Sequence, residues 1–358
     1  MSITAIVRPE ILGLVAYQSA EQKNNTIRLN ANEASWDRIA DNAELALNRY
    51  PEARPDDLRS RLAEWYGVRD ENVLVTRGSS EAIDLLIRSF CRASLDNIVL
   101  SPPTFDMYRV YGEIHGAEVV NVPLTAKNDF AIDCDALLEA CTPDSKLIFI
   151  CSPNNPTGQL VPQSKLLALL EARRGQSIVV VDEAYIEFSG TASMSALVNE
   201  YDNLAVLRTT SKALALAGTR CGCAIANREV IDVLDRVLPP YSMPTSVARE
   251  VVDALTSDSL ALALLGINKT MVAREDLTGR LRELPIVERV WDSAANFVLV
   301  RFHDAALVNR EAISAGILLR EFGSQSGLDN CLRITVGNQQ EIEILMELLS
   351  DIGARTSA

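Results

Sequence analysis

The chain has 358 residues, 48% of them hydrophobic, and a formal net charge of −14, which suits two cores, or one large domain beside a smaller one. Its arginines are scattered and form no basic block, so a nucleic-acid partner is not expected, and no apolar run approaches the length of a membrane span. The seven cysteines at 91, 134, 141, 151, 221, 223 and 331 make no C-x-x-C pair, and His115 and His303 are the two histidines, so no metal site is expected and reduced thiols of a cytosolic protein are the simplest reading.

At the N-terminus a short apolar run, Ile11 to Tyr17, follows Pro9 and Glu10 with no A-x-A site after it. It reads as an N-terminal arm rather than a signal peptide. From there on, short Val/Ile/Leu-rich runs alternate with segments of helical period. The predicted order is helix Pro55–Tyr66, strand Asn72–Thr76, helix Ser80–Cys91, strand Asn97–Pro102, helix Phe105–His115, and strands Glu118–Leu124 and Lys146–Ser152. It continues with helix Gln163–Arg173, strands Ser177–Asp182, Leu204–Thr209 and Cys221–Ala226, and helix Arg228–Leu238. Apolar strands alternating with helices predict an α/β fold with a largely parallel seven-stranded sheet covered on both faces.

Near Leu238–Ser246 the proline density rises, and a long helical stretch then runs to about Glu283. A domain boundary is expected there. Beyond it, "ANFVLVRF", "GILLREF" and "CLRITVG" are candidate strands, followed by a closing helix Gln339–Leu349 and a loose tail from Ala354. These form a smaller α+β domain. Residues 1–36 are assigned to the arm and part of the small domain, 37–240 to the large domain and 241–358 to the small one.

Chemistry gathers around "LRTTSKALALAGTR", where Lys212 sits between a polar run and Ala-Leu-Ala-Leu-Ala. A surface lysine that snorkels to water fits those neighbours as well as a desolvated, reactive amine does. "SIVVVDEAYIEF" is an apolar strand ending in acids, and in an open α/β sheet ligands sit at the carboxyl ends of strands, where Asp182 would project. A P-loop ATPase would also place acids there, but none of the lysines follows a glycine, as its phosphate loop requires. The preceding strand ends in "CSPNNPTGQL", which is turn chemistry, yet it brings Asn154 toward Asp182. "VLVTRGSSEAIDLLI" is strand, glycine, two serines and helix; Ser79 or Ser80 serves as a plain N-cap or as part of an anion site at the helix N-terminus. Ser211 and Arg220, flanking Lys212, would complete a phosphate cup.

A phosphate cup, a buried carboxylate, hydrogen-bond donors and a lysine amine together suit pyridoxal 5'-phosphate. Lys212 would bond its aldehyde, Asp182 would hold the pyridine nitrogen protonated, and Asn154 and Tyr185 would bond its phenolic oxygen. Phe105 would stack on the ring, unless it is simply a core aromatic.

The ordered set "RYPEARPDDLRSRLA", "TRGSSEAIDLLI", "PPTFDMY", "SPNNPTGQL", "VVVDEAYIEF", "TTSKALALAGTRCG" and "CLRITVG" resembles the fold-type-I, class II aminotransferases across almost the whole chain. "RYPEA", "DEAYIEF" and "LAGTRCG" narrow the resemblance to the histidinol-phosphate aminotransferase subfamily. It implies a cytosolic homodimer with shared active sites, moving an amino group between glutamate and imidazole-acetol phosphate. It also implies roles residue by residue. Lys212 matches the lysine bonded to the cofactor, Asp182 the partner of the pyridine nitrogen, and Asn154 and Tyr185 the partners of the phenolic oxygen. Ser79, Ser80, Ser211 and Arg220 match the phosphate cup. Tyr50 matches a tyrosine that reaches the neighbouring subunit's cofactor phosphate, Arg333 the arginine that takes the substrate's anionic group, and Tyr17 and Arg320 positions lining the substrate pocket. Two places depart from the pattern: Phe105 stands where the family often has Tyr, and "LNANEASWD" lacks the proline or aromatic that usually follows Asn-Glu. Competing readings are an aromatic amino-acid aminotransferase, a phosphoamino-acid decarboxylase of the same fold, and a non-catalytic binding domain.

Overall fold

A computed structural model describes residues 3–16, 20, 22, 27–36, 46–322 and 325–356. The chain opens with a 3-10 turn at Ile3–Ile6 and the short helix α1 (Pro9–Leu12), followed by α2 (Asp56–Tyr66). The α/β layer then runs β1 (Val73–Thr76), α3 (Gly78–Phe90), β2 (Asn97–Leu100), α4 (Met107–His115), β3 (Glu118–Asn121), α5 (Cys134–Ala140), β4 (Ser145–Cys151), α6 (Gln163–Ala172), β5 (Ile178–Asp182), β6 (Leu204–Thr209), β7 (Gly222–Ala226) and α7 (Arg228–Val237). All seven expected strands join one sheet, ordered β1-β7-β6-β5-β4-β2-β3. The strands from β6 through β3 pair in parallel, and β7 runs antiparallel to both its neighbours.

The reason for this layer lies in strand composition. Val179, Val181, Leu204 and Val206 point to one face and Val180, Ala205 and Leu207 to the other, each into its own buried cluster. A strand buried on both faces loses the polar alternation of a surface strand, which is why these runs read as continuous apolar stretches. Residues 3–12, expected in an arm shared with the small domain, pack on this larger layer instead. Ile3, Val7 and Ile11 join the cluster under α3 and α7, and the Arg8 amide donates to the Ser89 carbonyl at 3.1 Å.

The stretch after the proline-rich segment is two helices, α8 (Thr245–Ala254) and α9 (Ser257–Arg282). Met243, Val251 and Leu255 still bury against the larger layer, whereas Leu277 and Leu281, late in α9, belong to the second core. That core lies between helices and a four-stranded antiparallel sheet. The sheet comprises β8 (Val287–Val290), β9 (Phe297–Phe302), β10 (Arg320–Glu321) and β11 (Cys331–Thr335), in the order β10-β11-β9-β8, with α10 (Ala305–Ser314) and α11 (Gln339–Thr356). α11 continues past the expected stop at Leu349 because Leu349 and Ile352 remain buried on its core face. Among the described residues no helix is long and apolar enough to cross a membrane, and no cluster of His, Cys, Asp or Glu could hold a metal ion.

Candidate active site

At the carboxyl ends of β4, β5 and β6 the chain leaves a cleft of about 150 Å³ lined by Ser79, Ser80, Phe105, Asn155, Asp182, Tyr185, Ser211, Lys212 and Arg220, among others. Sequence-distant segments meet there because the parallel strands all end on one side of the sheet.

Lys212 stands just past β6. The Ala213–Ala217 run forms a turn rather than a helix: the Leu216 amide donates to the Thr210 carbonyl at 3.2 Å, and Ala215 takes a φ of 56°. A short 3-10 turn at Ala217–Thr219 then leads the chain back into β7, the antiparallel neighbour of β6. Ala213 and Leu214 are buried by this turn. Burial lowers the proton affinity of the Lys212 amine, and the Arg333 and Arg220 guanidiniums lower it further; its Nζ lies 5.9 Å from the centre of the Tyr185 ring.

Asp182 ends β5 fully enclosed. Its Oδ2 accepts from the Tyr108 hydroxyl at 2.7 Å and its Oδ1 from the Ala184 amide at 3.1 Å. Loss of hydration pushes its pKa up to about 6, although both hydrogen bonds pull the other way. Burial also raises the pKa of the Tyr185 hydroxyl, so Tyr185 stays a protonated donor. Its ring packs edge-on against Phe297 at 5.2 Å.

The anion cup is made at the start of α3. The Glu81 carboxylate accepts from the Arg77 amide at the N-cap position at 2.7 Å, but the N-cap side chain makes no capping bond, so the amides of the first turn and the helix dipole are available to an anion. Gly78 has a φ of 72° and Arg220 passes so close that a Cβ there would sit 2.9 Å from its guanidinium. β7 crosses beneath: a Cβ on Gly222 would lie 2.7 Å from the Ser79 amide nitrogen. Arg220, itself left-handed with a φ of 53°, donates to the Ala217 carbonyl at 2.9 Å and reaches Ser211 Oγ at 3.4 Å. Thr209 donates to Ser211 Oγ at 2.9 Å.

Asn154 is not in this cleft. Its amide nitrogen donates to the Pro103 carbonyl and to Thr157 Oγ1, both at 2.9 Å, and its oxygen accepts from Thr104 Oγ1 at 2.8 Å. Those bonds occupy it inside its own loop. Asn155 turns into the cleft instead, and its Oδ1 accepts from Arg333 at 2.6 Å. Two adjacent asparagines before one proline look alike in sequence; loop direction separates them.

Arg333 lies on β11 directly across from Arg320 on β10. It packs over Phe297 and Phe322 at 5.0 and 5.5 Å, its Nε is buried without a partner, and burial together with Arg320 lowers its proton affinity. Phe105 is half-buried, edge-on to Tyr108 at 5.5 Å. Tyr50 lies outside the cleft, half exposed, stacked on Tyr241 at 4.9 Å. Tyr17 lies outside the described residues.

A family model described as "Aminotransferase class I and II" matches residues 11–349. The chain belongs to the class I and II aminotransferases. A histidinol-phosphate aminotransferase of Shigella sonnei (strain Ss046) is 41% identical over 351 residues, covering 98% of each chain. Another, of Aeromonas salmonicida (strain A449), is 42% identical over 355 residues, covering 98% of this aminotransferase and 99% of the relative. The solved structure of the histidinol-phosphate aminotransferase from Clostridium acetobutylicum superposes with a TM-score of 0.78 at 22% identity, covering 86% of this chain and 92% of that one, a match that bears on the fold.

Proposed function

We propose that this aminotransferase uses pyridoxal 5'-phosphate to exchange an amino group between L-glutamate and imidazole-acetol phosphate, giving L-histidinol phosphate and 2-oxoglutarate. The observation that carries the substrate choice is the Arg320–Arg333 pair. Like charges directly across two strands repel, and among the described residues neither guanidinium has a carboxylate ion-pair partner, so a phosphate dianion between them would relieve the repulsion. Phenylalanine or tyrosine would bring only a carboxylate monoanion. The names of the relatives point the same way.

The cleft suits the cofactor. When bound, pyridoxal phosphate supplies a conjugated ring that accepts the electron pair left by the substrate's Cα–H bond. Ser79, Ser80, Ser211 and Arg220 would hold its phosphate at the α3 N-terminus, and Phe105 would cover a ring face. Asp182 would hold a proton at the pyridine nitrogen, and a ring cation beside it would offset the cost of enclosing an ionised carboxylate. Asn155, in the place first assigned to Asn154, would donate with Tyr185 to the phenolic oxygen. Lys212 would bond the aldehyde carbon and, once displaced by the substrate amine, carry the Cα proton on Nζ; its lowered proton affinity suits a base near neutral pH. Arg333 would fork onto the substrate's carboxylate or phosphate, with Arg320 adding the second cation.

Tyr50 would act on a second copy's cofactor phosphate, making the protein a homodimer with shared sites. The seven cysteines are free, which fits the reducing cytoplasm.

Single-turnover spectra test the reading with histidinol phosphate, phenylalanine and glutamate offered separately to the cofactor-loaded protein. Histidinol phosphate and glutamate should each change the bound cofactor's spectrum, with phenylalanine far slower. Phenylalanine matching histidinol phosphate would overturn the substrate assignment.

A further inference from the structure

Tyr108 has no place in the roles assigned so far, yet its side chain hydrogen-bonds Asp182. It is fully buried on α4. Its ring stacks on Phe149 at 4.9 Å with an interplanar angle of 15°, and Phe105 meets it edge-on at 5.5 Å. With the ring fixed on two sides, the hydroxyl sits beside the Cys151 thiol and donates to Asp182 Oδ2 at 2.7 Å.

We propose that Tyr108 is a positioning residue for the proposed reaction, a fixed donor that aims the Asp182 carboxylate and keeps it ionised for the cofactor's ring nitrogen. This rests on the cofactor reading above.

The chemistry follows from what surrounds the carboxylate. From β4, Cys151 pairs in register with Asp182 and is itself buried. Tyr185, Lys212 and Arg220 line the same cleft, and the Ala184 amide takes Oδ1. Enclosure favours the neutral acid, which could not hold the ring proton, and the two hydrogen bonds favour the anion. Of those two, the Ala184 amide belongs to the backbone beside Asp182 and is present whatever the side chains are. Tyr108 is therefore the adjustable one. Burial and the Asp182 charge hold its own hydroxyl well above the usual tyrosine range, so it remains a donor across all working pH. Its edge contact also links the carboxylate's aim to Phe105, which would cover the cofactor ring.

The test is equilibrium dialysis of pyridoxal phosphate against the full-length protein, freed of cofactor, between about pH 5 and pH 8. The proteins compared are the parent, Tyr108→Phe, Asp182→Asn and the Tyr108→Phe/Asp182→Asn double variant. Binding by the parent should weaken as pH falls through the Asp182 titration. Tyr108→Phe keeps the stacked ring and loses the donor; its acid limb should move to higher pH, and affinity near neutrality should fall by roughly ten-fold. The double variant should bind as Asp182→Asn does, because Tyr108 acts through that carboxylate. An unmoved limb in Tyr108→Phe, or a double variant weaker than Asp182→Asn alone, would overturn the inference. If Asp182→Asn weakens binding and Tyr108→Phe does not, this inference fails by itself; if Asp182→Asn binds as the parent does throughout, the reading of Asp182 fails and takes the inference with it.

Discussion

Arg320 and Arg333 face each other in register across β10 and β11, and both guanidiniums lie against the Phe322 ring, at 5.7 and 5.5 Å. The shared aromatic floor holds two cations side by side where a sheet would ordinarily place opposite charges or apolar groups. A charge-assisted hydrogen bond contributes about 1.5–3 kcal/mol. Arg320→Ala should therefore cost roughly ten- to a hundred-fold in kcat/KM for histidinol phosphate, with a smaller loss for glutamate. Arg333→Ala should damage both half-reactions. Equal losses for the two donors in Arg320→Ala would mean that Arg320 does not read the phosphate.

Asp182 gives the cofactor-free protein a pH signature. Its folded-state pKa is raised from 3.8 to about 6, so the fold holds its proton more tightly than the unfolded chain does. That stabilisation is fully present below about pH 4 and is lost as pH rises through about 6, a change of roughly 3 kcal/mol. Asp182→Asn removes the titration. Melting of the cofactor-free proteins should show the parent losing ground to Asp182→Asn from pH 4 to pH 7, and cofactor binding should flatten the difference. A constant offset across that range would show that the carboxylate is not held in the way the geometry implies.

Gly222 bears on the anion cup. A methyl group there would meet the Ser79 amide nitrogen and the Arg208 carbonyl at 2.7 and 2.8 Å, both backbone atoms that cannot turn aside. Gly222→Ala should destabilise the protein by about 1–3 kcal/mol and weaken retention of pyridoxal phosphate through dialysis, because α3 must lift away from β7. Unchanged melting and retention would contradict the close crossing.

Much of this was legible in the sequence, for a physical reason. Strands buried on both faces, such as β4 through β6, are apolar along most of their length; Asp182 ends one of them, and Lys212 and Tyr185 follow three residues after such strands. β8 was missed because its Val-Glu-Arg-Val pattern is largely solvent-facing. α5 was missed because it is a single short helix whose start is set by the Asp133 side chain capping the Ala136 amide. Within the site, Asn155 and Tyr108 were passed over. Which of two adjacent asparagines faces a cleft depends on the path of the loop, and the tyrosine in "PPTFDMY" finds Asp182 through packing between α4 and the sheet. The Ala-Leu-Ala-Leu-Ala run after Lys212 consists of good helix formers yet turns, because the antiparallel return into β7 overrides local propensity.

Tyr50 should matter through assembly. It is half exposed and stacked on Tyr241, away from the cleft of its own chain. Sedimentation should find a dimer, and Tyr50→Phe should leave that dimer intact while releasing cofactor faster. A fully active monomer would contradict a shared site.

The most direct measurement of amino transfer through a lysine-bound cofactor is borohydride reduction of the loaded protein followed by peptide mapping. The tag should appear on the peptide carrying Lys212, and Lys212→Ala should bind pyridoxal phosphate without fixing it and should not turn over. A tag on Lys23, Lys127, Lys146, Lys165 or Lys269, with Lys212 unmodified, would contradict the account.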